Sequence, residues 1–255
     1  MKIFLILILF IVIVAVLSWY LISKDRGQKE PVSILWLAFL LGIIGAMVAI
    51  ITENIFVNPK NTQPGASLTN MFGSFLIVGF IEELIKFLPL AIFIYKKSYF
   101  NEFTDGIIYF ALVGLGFGLP ENILYVLSFG TSAGIGRLFL TPFFHAATVA
   151  IVGFYLIKVK ITHSSFRAVF LAFFAVVLLH ALYDFGLTAT NSLLTLMSII
   201  ITVLLSINLF MIYHRASKLD QVYGLAEVGY NKYCRTCGLL NEHHMMYCNR
   251  CGNRT

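Results

Sequence analysis

The polar and apolar positions along the chain fall into long apolar runs separated by short polar stretches, with no strand-like alternation. Seven runs of roughly 20 residues, the length an α-helix needs to cross a hydrocarbon core, lie at about 3–23, 33–55, 71–95, 105–129, 138–157, 167–188 and 192–213. They predict an all-α polytopic membrane protein of about seven transmembrane helices. The first run is too long for a secretory signal, and no small-x-small cleavage site precedes Lys24, so Trp19 and Tyr20 read as an interfacial anchor. The second loop, NPKNTQPGASLTN, is turn-rich, and its Ser67, Thr69 or Asn70 can cap the third helix. The fourth run contains VGLGFGLPEN, where Gly114, Gly116, Gly118 and Pro120 predict a loosened or kinked helix and a cavity at the level of Glu121.

Past the last run the pattern changes. A membrane body over 1–214 gives way to a polar linker over 215–230 and a small cysteine-bearing module over 231–255. Cys234 and Cys237 form one CxxCG knuckle and Cys248 and Cys251 a second. Two such knuckles can close a tetrahedron of four thiolates around a structural zinc, as in a zinc ribbon. Two disulfides would use the same spacing, but the topology below puts the tail in a reducing compartment, which favours metal. His243 and His244, between the knuckles, read as loop residues because four thiolates already fill the shell.

Composition sharpens this picture more than it adds to it. The chain is 59% hydrophobic and 12% charged with a net charge of +6, far from the balance of a soluble domain. The basic residues sort by side: Lys24, Arg26, Lys29, Lys96, Lys97, Lys158, Lys160, Arg167 and the tail lie on one face, against Lys2, Lys60 and Arg137 on the other. The positive-inside rule then puts the amino terminus outside and the carboxyl terminus in the cytoplasm of a multi-pass cell-membrane protein. The net charge is thereby spent on topology, and no nucleic-acid partner is expected.

The informative polar residues are those inside the apolar runs. Glu82, Glu83 and Lys86 share the third, where three central charges cost on the order of 8 to 10 kcal/mol against an apolar return of about 4 to 9. Such a helix must turn its charges inward. Glu82 and Lys86, at i and i+4, can pair on one face, while Glu83 is rotated about 100° and wants a partner on another helix. Candidates are Glu121 and Asn122 in the fourth run, His145 in the fifth, and His180 with Asp184, one turn apart, in the sixth. Each alone is compatible with interhelical glue. Together they suit a hydrolase, since two histidines and a carboxylate can hold a divalent metal, and a second carboxylate can take a proton from water and pass it to a leaving amine.

Taken in order, EELIK (Glu82, Glu83, Lys86), FGLPEN (Phe117, Gly118, Glu121, Asn122), RLFLTPFFHAATVAIVGFYL (Arg137, Pro142, His145, Gly153) and HALYDF (His180, Asp184) resemble the PrsW family of intramembrane metalloproteases. That family is similar to the wider type II CAAX protease and bacteriocin-processing group. The resemblance covers about residues 70–190 and implies a helical membrane endopeptidase acting on a membrane-anchored protein, in the PrsW branch an anti-sigma factor. It implies catalytic roles for Glu82, Glu83, Glu121, Asn122, His145, His180 and Asp184, supported by Lys86 and Arg137. His145 and His180 would be ligands of a divalent metal, zinc foremost, one of Glu82 and Glu83 the base, and Asp184 a ligand or the orienter of His180. The appended ribbon departs from a minimal body of this kind and suggests a cytoplasmic partner. The same charges would also serve a non-catalytic scaffold or sensor, or a proton- or cation-coupled transporter.

Overall fold

A computed structural model describes residues 2–25, 27, 29–225, 232–234, 236, 237, 240, 241, 247, 248 and 250–253. His243 and His244, and most of the segment 226–255, lie outside the described residues. Among the described residues seven α-helices make the body: α1 (Lys2–Ser23), α2 (Val32–Phe56), α3 (Leu68–Ile94), α4 (Phe103–Phe129), α5 (Thr131–Thr162), α6 (Arg167–Thr188) and α7 (Ser192–Val222). A short 3-10 turn, Pro59–Thr62, sits in the loop after α2, and the tail carries two paired antiparallel strands, β1 (Lys232–Tyr233) and β2 (Leu240–Asn241). Six of the helices are long and apolar enough to cross a membrane. The exception, α3, has 27 residues and so ample length, but it carries Glu82, Glu83 and Lys86.

Burial follows from this division. α4 is apolar on every side and lies at the centre, packed along α5 and α2, with Ile107, Phe110, Leu115 and Phe117 in the core. α1, α2 and α7 turn residues such as Phe4, Trp19, Trp36, Ile51, Leu193 and Leu204 outward, as a surface facing acyl chains requires.

The expected break in the fourth run does not occur: α4 is continuous from Phe103 to Phe129 through all of its glycines and Pro120. The glycines serve close approach instead. A Cβ on Gly114 would lie 2.1 Å from the carbonyl oxygen of His145 on α5, and one on Gly116 would lie 2.0 Å from that of Phe39 on α2. Packing of three backbones, not a loosened helix, explains the run.

Ser67 stands at the N-cap of α3, but its side chain makes no capping hydrogen bond. α5 extends well beyond 138–157 at both ends, and α7 runs through residues 215–222 of the segment expected to be linker. The reason for the second extension is burial. Ala216 and Asp220 are covered, and the Asp220 carboxylate accepts hydrogen bonds from the Phe103 and Thr104 N–H groups and the Thr104 hydroxyl, capping α4 from a distant part of the chain.

Candidate functional site

The polar residues of α3 through α6 meet inside the bundle. Helical spacing explains the local sets: Glu82, Glu83 and Lys86 occupy adjoining faces of α3, and His180 and Asp184 stack one turn apart on α6, with Nε2 and Oδ2 3.3 Å apart. Lys86 is fully buried and touches both glutamates, at 2.7 Å from Glu82 Oε2 and 3.1 Å from Glu83 Oε1. The expectation that it pairs with Glu82 while Glu83 turns to another helix is therefore corrected: at i+4 from Glu82 and i+3 from Glu83, Lys86 neighbours both on the helix surface. Its Nζ also lies 3.0 Å from His145 Nδ1 and 4.0 Å from the centre of the Phe117 ring.

Glu83 does reach other helices as well. Its Oε1 lies 2.8 Å from His180 Nδ1 and accepts from the Thr148 hydroxyl at 3.3 Å. A carboxylate on Nδ1 fixes the ring and directs Nε2 into the site. There Nε2 lies 3.5 Å from Glu82 Oε2. From α4 and α5, His145 Nε2 is 2.6 Å from Glu121 Oε2, and Arg137 ties the pair down, pairing with Glu121 Oε1 and donating to Asn122 Oδ1 at 3.2 Å. Asn122 in turn donates to the carbonyl of Gly118 at 2.7 Å. Phe144 packs against both imidazoles, with ring centres 5.6 and 5.2 Å away.

All nine polar residues named from the sequence thus fall in one network. The donor set also fits a divalent ion. Glu82, Glu121 and His145 each offer an atom within 4.8 Å of the others, and His145 Nε2 and Glu121 Oε2 are buried without a hydrogen-bond partner despite their proximity. Two such atoms left unpaired in a membrane interior are costly unless a cation or a proton serves both.

Beside the network lies a cavity of about 270 Å³. Its walls include Glu121, Tyr125, Arg137 and Asp184, together with Glu53 and Asn54 at the end of α2 and Pro59 and Thr62 of the 3-10 turn. The Arg137 guanidinium stacks 4.1 Å from the Tyr125 ring centre. Sequence reasoning missed Thr148, Tyr125 and Glu53. The first two carry no charge signal, whereas Glu53 does, as the one charged residue of α2. Near a helix end a charge carries little insertion cost, so its signal is weak.

In the tail, Cys234, Cys237, Cys248 and Cys251 are free thiols whose sulfurs all lie within 4.8 Å of one another. Two of the separations, Cys234 to Cys251 and Cys237 to Cys248, are 3.5 Å, close to the edge of about 3.8 Å that zinc–sulfur bonds of ~2.3 Å imply for a tetrahedron. The Arg250 N–H points at the Cys248 sulfur at 3.4 Å, and Gly252, at φ 72°, takes the left-handed turn that lets its N–H return to the Cys248 carbonyl. N–H groups of Cys237 and Thr236 on the Cys234 sulfur lower that thiol's pKa, favouring the thiolate. This geometry is that of a metal knuckle and agrees with a zinc ribbon.

Comparison with known proteins adds the family. The model of the PrsW family intramembrane metalloproteases matches residues 30–212. Protease PrsW of Bacillus subtilis is 37% identical over 181 residues, covering 70% of this chain and 80% of the relative. Protease PrsW of Geobacillus kaustophilus is 33% identical over 177 residues, 69% and 76% respectively, and that of Clostridioides difficile 31% over 192 residues, 72% and 79%. No solved structure matches the chain. The cysteine tail lies beyond the matched residues, while α2 through α6 and the greater part of α7, with every polar group of the buried network, lie within them. The chain belongs to the PrsW family of intramembrane metalloproteases, and is a multi-pass membrane peptidase.

Proposed function

We propose that this peptidase hydrolyses a membrane-anchored protein, with Glu82 as the general base, at a site entered from the outer side of the membrane. The observation that carries this is the meeting of Glu82, Glu83, His145 and His180 with Glu121 beside a cavity inside the bundle. The two glutamates differ in surroundings. Glu83 is held by Lys86, Thr148 and His180, which suits it to orienting the imidazole. Glu82 has Lys86 for a hydrogen-bond partner and faces the cluster, where it can take a proton from water and return it to the leaving amine.

His145, His180 and Glu121 would hold a divalent ion, zinc by the match of imidazole and carboxylate donors. When bound, such an ion supplies a Lewis acid for the scissile carbonyl and makes water a better nucleophile at neutral pH. Asp184 steadies His180 from the cavity side, and Arg137 with Asn122 fixes Glu121. Lys86 keeps two adjacent carboxylates tolerable in a dry interior. The basic loops support an outer amino terminus and a cytoplasmic tail, which puts the 3-10 turn and the cavity outside. An anti-sigma factor or another single-span protein would present its juxtamembrane segment there. The ribbon, closed around zinc, would dock a cytoplasmic partner.

The test is cleavage of single-span reporter proteins, each with a randomised segment flanking its span, by full-length protein in proteoliposomes. Glu82→Gln and His180→Ala are expected to lower the rate by about 10²- to 10⁴-fold while the melting curve keeps its cooperativity. Undiminished cleavage by both variants would overturn the assignment.

A further inference from the structure

The hydrolysis proposed above leaves Glu53 without a task. It is the sole charged residue of α2, its Oε1 is buried with no hydrogen-bond partner, and it lines the cavity beside Glu121 and Asp184. These last two touch His145 and His180, so Glu53 looks onto the space that a peptide must fill to reach the site.

The charges around that space do not balance. Glu53, Glu82, Glu83, Glu121 and Asp184 are five carboxylates, against the two permanent cations Lys86 and Arg137. Both cations are committed: Lys86 to Glu82 and Glu83, Arg137 to Glu121 and Asn122. A divalent ion held by His145, His180 and Glu121 would remove two of the three surplus negative charges. Among the described residues two carboxylate oxygens on the cavity wall lack a hydrogen-bond donor, Glu121 Oε2 and Glu53 Oε1; the first faces His145 Nε2 at 2.6 Å, which leaves the remainder to Glu53. A carboxylate in such a place is stabilised by a cation brought to it. Among peptide side chains only Lys and Arg bring a permanent one.

We propose that Glu53 determines specificity by pairing with a Lys or Arg side chain of the substrate close to the scissile bond. The proposal rests on the peptidase site described above, but makes a separate claim about which segments it accepts. Removing the pair would act on one position of the substrate and leave preferences elsewhere unchanged. Reversing the charge at residue 53 would reverse the preference at that position.

Two measurements on the full-length protein test it. In proteoliposomes, products of the reporter library are sequenced for wild type, Glu53→Gln and Glu53→Lys. Lys and Arg should be enriched about tenfold at one position near the cut by wild type, the size expected of a partly buried charge pair. Glu53→Gln should flatten that position and Glu53→Lys should favour Asp or Glu there. Identical profiles for all three proteins overturn the proposal. Binding is read separately in detergent, on the Glu82→Gln background, with short fluorescent peptides carrying one Lys, one Gln or one Glu at the same place. Tighter binding of the Lys peptide that disappears with Glu53→Gln supports the pairing even if no reporter is cut, in which case it is the hydrolytic assignment that fails. Equal binding of the three peptides overturns the pairing whether or not cleavage occurs.

Discussion

Replacing Lys86 by Met tests the physical logic of the site most directly. The side chain has no solvent exposure and lies 2.7 and 3.1 Å from two carboxylates that are themselves buried. Met has a similar length and fills the space, so the loss is electrostatic and not a cavity. Breaking one buried pair by removing a partner costs about 3 to 5 kcal/mol, because the other charge stays behind unpaired. Here two charges stay behind, and a ring contact at 4.0 Å and the contact with His145 Nδ1 are lost with them. At ~2 to 4 °C per kcal/mol for a chain of this size, the melting temperature in detergent should fall by about 10 °C or more. The second half of the experiment removes a carboxylate from the same network. If uncompensated charge is the cause, Glu82→Gln added to Lys86→Met should recover a good part of the loss, leaving Glu83 with His180 and Thr148. Thermal unfolding of the four proteins of this cycle gives the coupling. A Lys86→Met protein as stable as wild type, or a double variant worse than either single one, would refute the reasoning.

Three other outcomes follow from the structure. A Cβ on Gly114 would meet the His145 carbonyl at 2.1 Å whereas one on Gly73 meets nothing within 4 Å, so Gly114→Ala should cost about 1 to 3 kcal/mol by overpacking and slow cleavage by moving His145, with Gly73→Ala as the silent control in the same melting and cleavage assays. Burial raises the pKa of Asp25 above 3.8, outweighing the Gly27 N–H bond and the Lys29 charge; its carboxyl therefore favours the fold when protonated, and that stability is lost as pH rises through the folded pKa. Asp25→Asn, which keeps the acceptor for Gly27, should then raise the melting temperature at neutral pH and leave it unchanged in acid below the unfolded pKa, and a gain independent of pH would contradict this. Deleting residues 225–255 should remove any metal held by the four thiolates yet leave about one equivalent of divalent metal in the membrane body by elemental analysis, a remainder that Glu121→Ala with His145→Ala should abolish.

How much of this was legible beforehand depends on the range over which each feature is determined. The apolar runs are set locally, by the length of chain that must satisfy its own backbone in lipid, and helix formation there needs no partner. The cost of Glu82, Glu83 and Lys86 is likewise local, which is why an inward-facing charged helix could be inferred before any neighbour was known. The cysteine knuckles are legible for the same reason, since each holds its two sulfurs on one tight turn. The glycines of α4 misled because a run of Gly and Pro carries the same signal for a broken helix as for one on which other backbones close in. Only the positions of His145 and Phe39 on neighbouring helices separate the two.

What the sequence by itself determined is therefore the helical body, the cysteine module and the identity of nine polar residues that must avoid lipid. Tertiary structure decided which of them meet. Lys86 reaches both glutamates by its spacing along α3, but it meets His145 only because α3 and α5 pack together, and Glu83 orients His180 because α3 and α6 pack at that level. Glu53, four residues past Ala49, the last buried residue of α2, and separated by a whole loop from α3, joins the site only because α2 leans against α4 and α3. Spacing along a helix dictates which side chains share a face; which faces share a cavity is a property of the packed bundle, where backbone approach and charge balance are set among residues far apart in the chain.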